Sequence, residues 1–390
     1  MRAADISFYY DDFVESEEEL LRVHYTTVGW AEALQRNGVD VVVLKRFHRD
    51  ASFVKNGVQY VFVKDKFKGE LRLWQMPLSF LRSIVRANAD IVHLHSFPFS
   101  FPAFVLRILL PRKTGIVVQN HGGKVGRGFA IKILTRLAHF ADAFFFTAFE
   151  QGSHWFKHDR LRKKVMPVME SCPVFDVATL DANRTYTYAD RDAARKAFGL
   201  KGKPVFLWVG ALDENKDPLT ILNAFEVIFT GLNTGFLYMI YHNKKLIAEV
   251  EQRIVQSPAL RNNVVLVGKV PRDLMVHYYS CADYFVLGSH YEGSGFALSE
   301  SLSFGCVPVV TDIPSFRVMT DNGTLGKLWE AGNADALIAA VNEVLHKPLQ
   351  QQAESCIKFY RHHLTFEAIA LTAIEHYKKI MAGRLAAVND

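Results

Sequence analysis

Short apolar runs recur along this chain, each followed by a stretch of helical spacing, and the pattern fills both halves. A strand, a helix and a second strand in that order make a parallel pair, because a parallel connection must cross over and needs room for a helix. In the first half the expected strands are Ile6 to Tyr9, Asp40 to Leu44, Tyr60 to Val63, Ile91 to Leu94, Ile116 to Val118 and Ala143 to Thr147. In the second they are Val205 to Val209, Phe236 to Ile240, Val264 to Val267, Tyr284 to Leu287 and Val307 to Val310. The pattern predicts an α/β protein with two parallel-sheet units, and such sheets bind ligands at the carboxyl ends of their strands. A chain of 390 residues also exceeds one typical core and suits two domains.

The polar stretch VFDVATLDANRTYTYADRDAARKAFGLKGK separates the halves, which places the linker and the second domain's start at about 175–203. Near the end, TFEAIALTAIEHYKKIMAGRL has the apolar spacing of an amphipathic helix. The expected organisation is 1–180, 181–364 and a C-terminal helix in 365–390. Cys172, Cys281, Cys306 and Cys356 are scattered without paired spacing, so buried thiols are expected rather than a zinc site or disulfide framework. No apolar run reaches membrane-span length, and the opening MRAADISFYYDD lacks a signal-peptide pattern. The expected compartment is the cytoplasm.

Charge is uneven along the chain. Residues 1–180 hold 25 Lys and Arg against 18 Asp and Glu, and the remainder 21 against 22. A basic first half points to an anionic acceptor or to peripheral contact with the inner membrane face. KVGRGFAIKILTRLAHFADAFFF, with Lys124, Arg127, Lys132 and Arg136, is a candidate amphipathic helix for such contact, although a packed helix with solvated charges has the same pattern.

The segment most informative about chemistry is DYFVLGSHYEGSGFALSESLSFGCVPVV, residues 283–310. An apolar strand leads into a Gly-x-Gly turn and a helix, with Glu292 before the turn and Glu300 in the helix. Such a turn brings backbone N–H groups and a positive helix end to one point, a place for an anion such as a diphosphate. Carboxylates cannot hold phosphate, but they accept hydrogen bonds from hydroxyls. Phosphate together with hydroxyls indicates a nucleotide sugar.

Four blocks carry a family resemblance: EGSGFALSE, SLSFGCVPVVTD, the upstream FLWVGALDENKDPLTILNAF, and VGKVPRDLMVHYYSCADYFVLGS. Together they resemble glycosyltransferase family 4, the retaining enzymes of GT-B fold, most strongly over about residues 204–311. The resemblance implies two Rossmann-like domains facing a central cleft, with the last helix returning to the first domain. It implies a donor site of Lys216, Lys269, Val270, Gly295, Phe296, Ala297 and Glu300, with Glu300 on ribose hydroxyls and Glu292 on the sugar. In the first half DIVHLH and VVQNHGG are similar to the family's strands, which makes His121 the residue between donor and acceptor and places Gly122 and Gly123 on the acceptor side. His93 and His95 alternate with apolar residues, so one is expected to face the core, and neither is given chemistry.

Two positions depart from the family. Ala211 stands where an Arg is common, five residues before Lys216, with Lys269 as a substitute cation. The loop after the first strand reads DDFVESEEELL instead of being glycine-rich, and Asp11 to Glu19 is expected to be a solvated charge run, or else a mobile acceptor loop.

The expected activity is transfer of a sugar from a nucleotide diphosphate donor to a hydroxyl acceptor, with retention and without cofactor or metal. UDP or GDP is favoured over ADP, a carbohydrate or lipid-linked sugar is the expected acceptor, and no nucleic acid is involved. The alternative is a catalytically silent GT-B protein that binds a nucleotide or partner. A glycosidase has no use for the diphosphate cradle.

Overall fold

The computed structural model describes residues 1–69, 71–72, 75–95, 101–122, 138–156, 159–172, 191–232 and 234–389, without the side chains of 101–103, 138, 154 and 387–389. Gly123, the basic segment from Lys124 to residue 137 and the linker up to residue 190 lie outside these residues. The chain divides into two compact units, Met1–Pro173 with Thr365–Asp390, and Val174–Leu364.

The strands of the first unit are β1 (Arg2–Ser7), β2 (Asp40–Phe47), β3 (Ala51–Lys55), β4 (Val58–Lys64), β5 (Ile91–His95), β6 (Gly115–Gln119), β7 (Ala143–Phe146) and β8 (Val165–Pro167). They form one sheet in the order β3-β4-β2-β1-β5-β6-β7-β8, parallel except for the β3–β4 pair. The second unit holds β9 (Val205–Gly210), β10 (Phe236–Tyr241), β11 (Val264–Gly268), β12 (Tyr284–Leu287), β13 (Val307–Thr311) and β14 (Lys327–Trp329). Their order is β11-β10-β9-β12-β13-β14, all parallel.

Burial on both faces explains the continuous apolar strands. In β2, Val42 and Leu44 enter the core layer beneath the helices Leu78–Arg86 and Phe101–Leu109, while Val41 and Val43 enter the opposite layer. That opposite layer is completed by the helix Phe366–Asn389, whose Ile369, Ala370, Ala373, Ile374, Tyr377 and Ile380 are buried against Trp30, Ile91, Val117 and Phe145. A Cβ on Gly29 would lie 2.5 Å from the Phe366 ring, so glycine is what lets the last helix approach this closely.

The strand expected at Ile6 to Tyr9 is instead Arg2–Ser7. Phe8 and Tyr10 are buried loop residues, so their apolarity reflects core contact beyond the strand end. The sequence pattern did not indicate β3, β8 and β14. The first is a largely exposed antiparallel edge and the other two are three residues each, too short to show a period.

Both sheets reverse direction of growth once. The chain builds from β1 outward through β2 and β4, then returns to β5 on the other side of β1; in the second unit it builds from β9 to β11 and returns to β12 beside β9. Such reversals leave a crevice at the strands' carboxyl ends.

Candidate functional site

The reversal between β9 and β12 gathers Lys216, Glu292, Gly295, Phe296, Ala297 and Glu300, whereas Lys269 and Val270 follow the edge strand β11. Lys216 lies in the loop after β9, where its backbone N–H donates to Asp213 Oδ1 at 3.0 Å. Asp217 follows with φ +45° and caps the helix Pro218–Gly231 by accepting from the Thr220 N–H at 3.2 Å, with Pro218 in the first turn. The loop abuts the end of β12 at Gly288, where an added Cβ would sit 3.2 Å from the Lys216 carbonyl oxygen.

From that position the Lys216 ammonium donates to Glu292 Oε1, which also accepts from Ser289 Oγ at 2.7 Å. Several bonds fix the loop that carries Glu292. Thr311 Oγ1 donates to the Ser289 carbonyl at 2.5 Å, Ser315 Oγ to the Glu292 carbonyl at 3.2 Å, and Asn215 Nδ2 to the Tyr291 carbonyl at 3.0 Å. Lys216 and Glu292 retain 21% and 14% of their side-chain exposure, so the pair is open to a ligand at one side.

Three residues on, Gly295 caps the helix Phe296–Ser303 with φ +64°, a conformation that strains other residues. A Cβ there would also meet Phe316 at 2.8 Å. Phe296 and Ala297 occupy the first turn of this helix, at its positive end. Glu300 lies on the same helix, 7% exposed. Its Oε2 accepts from the Tyr279 hydroxyl at 2.9 Å, and Arg272 reaches Oε1 at 3.1 Å. Burial raises its pKa above the usual carboxylate value, and the Arg272 and Tyr279 contacts work against that rise.

Lys269 and Val270 follow β11, whose last residue Gly268 has φ +83°; Lys269 is exposed and Val270 half-buried. The cation that contacts Glu300 is Arg272. Arg272 was not chosen from sequence, because its contact with Glu300 is made by topology and not by a local pattern.

In the first unit the reversal between β1 and β5 has its own cluster. His121, just past β6, contacts the Glu170 carboxylate through Nδ1, and its Nε2 lies 3.0 Å from His95 Nδ1. His95 Nε2 in turn lies 2.7 Å from Asp5 Oδ2. Gly122, with φ +87°, donates its N–H to Asn120 Oδ1 at 2.7 Å and turns the chain after His121. Residues two apart on a strand share a face, and His93 and His95 do: their rings stack at 4.5 Å and 18°. One of the two is expected to face the core, and His93 does. His93 is buried and His95 connects to His121. Asp5, His95 and Glu170 were not chosen from sequence, although the His-x-His spacing in a strand was visible.

The acidic run is solvated only in part, since Asp12, Glu15 and Glu18 are exposed, and its second half is a helix rather than a loose loop. Asp11 is buried, 2.8 Å from His24 Nε2 and 3.2 Å from the Lys45 ammonium. Burial pulls the Lys45 pKa down to about 8, partly offset by Asp11. Glu17, Glu18 and Glu19 occupy the first turn of the helix Glu17–Val23, where Ser16 caps the Glu19 N–H and Glu17 pairs with Arg49 at 2.6 Å. Carboxylates in that turn favour the helix dipole, which is why the run folds instead of dispersing.

All four cysteines are buried thiols, as their spacing predicted. Among the described residues there is no group of three or more His, Cys, Asp or Glu side chains that could hold a metal ion, and no helix is long and apolar enough to cross a membrane.

Two parallel-sheet α/β units, with a cation, carboxylates and a glycine-capped helix at one sheet reversal, define a GT-B glycosyltransferase. The Glycosyltransferase Family 4 model matches residues 23–165 and the Glycosyl transferases group 1 model matches 190–363. A GDP-mannose:cellobiosyl-diphosphopolyprenol alpha-mannosyltransferase of Xanthomonas campestris is 26% identical over 279 residues, 68% of this chain and 67% of that protein. A UDP-Gal:alpha-D-GlcNAc-diphosphoundecaprenol alpha-1,3-galactosyltransferase of Escherichia coli is 27% identical over 168 residues, 42% and 43% of the two chains. These matches thus span about two thirds or less of the curated relatives. The solved structure of a glycosyltransferase from Rickettsia africae ESF-5 superposes with a TM-score of 0.69 at 15% identity, over 97% of this chain and 98% of that one. The chain belongs to glycosyltransferase family 4, and it is an enzyme of the glycosyltransferase class.

Proposed function

We propose that the protein transfers a hexose from a UDP or GDP sugar to a hydroxyl of a lipid-linked or carbohydrate acceptor, with retention of anomeric configuration. The observation that carries the reading is the Lys216–Glu292 pair beside the glycine-capped helix at the β9/β12 reversal. An arriving diphosphate offers Lys216 a doubly charged partner, which frees the Glu292 carboxylate to accept hydrogen bonds from sugar hydroxyls. The leaving diphosphate is stabilised by that ammonium and by the positive end of the Phe296–Ser303 helix. Glu300 takes the ribose hydroxyls, and Lys269 and Val270 flank the base. In this reading 1–180 serves the acceptor and 181–364 the donor, and His121 orients sugar and acceptor.

The two relatives named above use, by their names, GDP-mannose and UDP-Gal and act on diphosphate-linked polyprenols. A lipid diphosphate also suits the basic first half, and such an acceptor would place the enzyme peripherally at the cytoplasmic membrane face. If so, vesicles containing anionic lipid sediment the protein and neutral vesicles do not. Equal sedimentation with both would remove the membrane from the proposal.

The deciding experiment is a panel of UDP-, GDP- and ADP-sugars scored for thermal stabilisation and then for nucleotide release with polyprenol-diphosphate and oligosaccharide acceptors. Stabilisation by none of them would defeat the reading. In the same assay Glu300→Ala should weaken nucleotide binding roughly tenfold to a hundredfold, the loss of charged hydrogen bonds worth about 1.5–3 kcal/mol. Glu292→Ala should instead lower turnover with nucleotide affinity nearly kept. An unchanged nucleotide affinity in Glu300→Ala would show that the ribose lies elsewhere.

A further inference from the structure

His95 and His121 meet end to end between two carboxylates, and this geometry counts their protons. An ionised Asp5 at 2.7 Å accepts a proton from His95 Nε2, and Glu170 accepts one from His121 Nδ1. The inner nitrogens, His95 Nδ1 and His121 Nε2, remain 3.0 Å apart. If each ring held only its outer proton, two lone pairs would face each other at hydrogen-bond distance. One inner nitrogen must therefore carry a third proton. Shifting a proton onto Asp5 or Glu170 rearranges the three without changing their number.

We infer that Asp5, His95, His121 and Glu170 form one unit that holds three protons among four groups, and that His95 is a positioning residue that fixes the ring and charge of His121 for sugar transfer. The role of His121 at the sugar rests on the proposed function above; the proton count does not.

The surroundings favour this count. On β5, His93 stacks against His95, and burial together with the neighbouring histidines holds it well below the usual imidazole range, so it stays neutral. From the last helix, the Tyr377 hydroxyl lies 2.5 Å from His93 Nδ1 and is kept protonated by burial. Trp30, from the helix Tyr25–Arg36, meets His93 edge-on at 5.7 Å. On β6, Gln119 Nε2 donates to Glu170 at 3.4 Å. On β2, Lys45 adds positive charge within reach of Asp5, which keeps Asp5 ionised while opposing the third proton. For His121, burial opposes the cation, but Glu170 and then Asp5 outweigh it, and its pKa lies above the usual value of 6.5. The ring keeps 46% of its exposure, so a hydroxyl can reach it while its two nitrogens are held.

The sign of the pH effect follows. The third proton is present below the raised His121 pKa and is lost as pH rises through it. The inner nitrogens then repel, and His121 loses its anchor on the His95 side.

Long-range ¹H–¹⁵N correlation on the full chain with ¹⁵N-labelled histidine, recorded from about pH 5.5 to 9 around the ordinary imidazole value, tests this without substrate. Protons on His95 Nε2 and His121 Nδ1 are expected, with inner-nitrogen shifts intermediate between protonated and bare, moving together as one titration. His95→Asn keeps a polar atom near the Nδ1 position but has no titrating proton. It should lower kcat roughly tenfold to a hundredfold, as outer-shell partners do, flatten the alkaline limb of the pH profile, and change donor KM less than about threefold. Glu170→Gln gives a second reading and should move the His121 titration to lower pH. Two independent neutral tautomers in the spectra, or an unchanged pH profile in His95→Asn, would overturn the inference. Failure of every nucleotide sugar to turn over would overturn the transferase reading and leave the spectra to decide the proton count.

Discussion

Lys216→Ala is expected to lower kcat/KM for the sugar nucleotide by about 10²–10³, the usual loss when one preorganised charge or donor at a leaving group is removed. The side chain is placed for this task by three separate constraints: the Asp213 acceptor, the left-handed Asp217 cap and the abutting Gly288. None of these depends on the ammonium, so the loop should keep its shape in the variant. Glu292 loses its cation but keeps Ser289, and with 14% exposure it remains hydrated, so stability should change little. Lys216→Arg should recover only part of the rate, because a planar fork on a longer stem does not replace a compact charge. The position five residues earlier, Ala211, offers no second cation to compensate. Steady-state kinetics beside thermal unfolding checks this. A rate within threefold of the parent, with folding intact, would mean that Lys216 does not touch the leaving group.

How far the sequence alone reaches is visible in particular residues. Strands buried on both faces, such as Val41–Leu44 and Val307–Val310, read clearly because continuous β-branched runs have few other uses. Lys216, Glu292 and Gly295 were legible because they sit in one continuous stretch or at a fixed offset from a strand. Asp5 was not, since a buried acid in the middle of a strand looks like a break in it, and the true strand began earlier than its apolar centre. Its purpose is set by His95, ninety residues on, and by pairing across the sheet that no local pattern records. The same holds for Arg272 on Glu300 and for Lys45 on Asp11: each is an ionic partner brought by topology. The acidic run after β1 was read only in part: Asp12, Glu15 and Glu18 are exposed, whereas Asp11 is buried. Its composition resembles a solvated segment, but the Ser16 cap and the cations Lys45 and Arg49 fold it.

Arg46→Met should destabilise the protein by about 3–5 kcal/mol, the cost of breaking one side of a buried ion pair. Arg46 has no exposed surface, and its guanidinium spends nearly all its donors: Nε to Asp65 at 2.6 Å, one terminal nitrogen to the Phe8 carbonyl and to the Gly69 carbonyl at 3.2 Å, the other to the Phe67 carbonyl. It also lies 5.7 Å from the centre of the Tyr10 ring. One side chain on β2 thereby ties the loop after β1 to the loop after β4. Methionine fills much of the volume but leaves Asp65 as a buried carboxylate without a counter-charge and three carbonyls without that donor. Urea titration should show a lower midpoint at an unchanged slope, the signature of lost stability without a change in exposed surface. Adding Asp65→Asn to the Arg46→Met variant removes the stranded charge and should recover part of the loss. Recovery of that kind separates the electrostatic cost from packing; a single-variant loss below about 1 kcal/mol, the scale of an exposed pair, would show that the loops hold without Arg46.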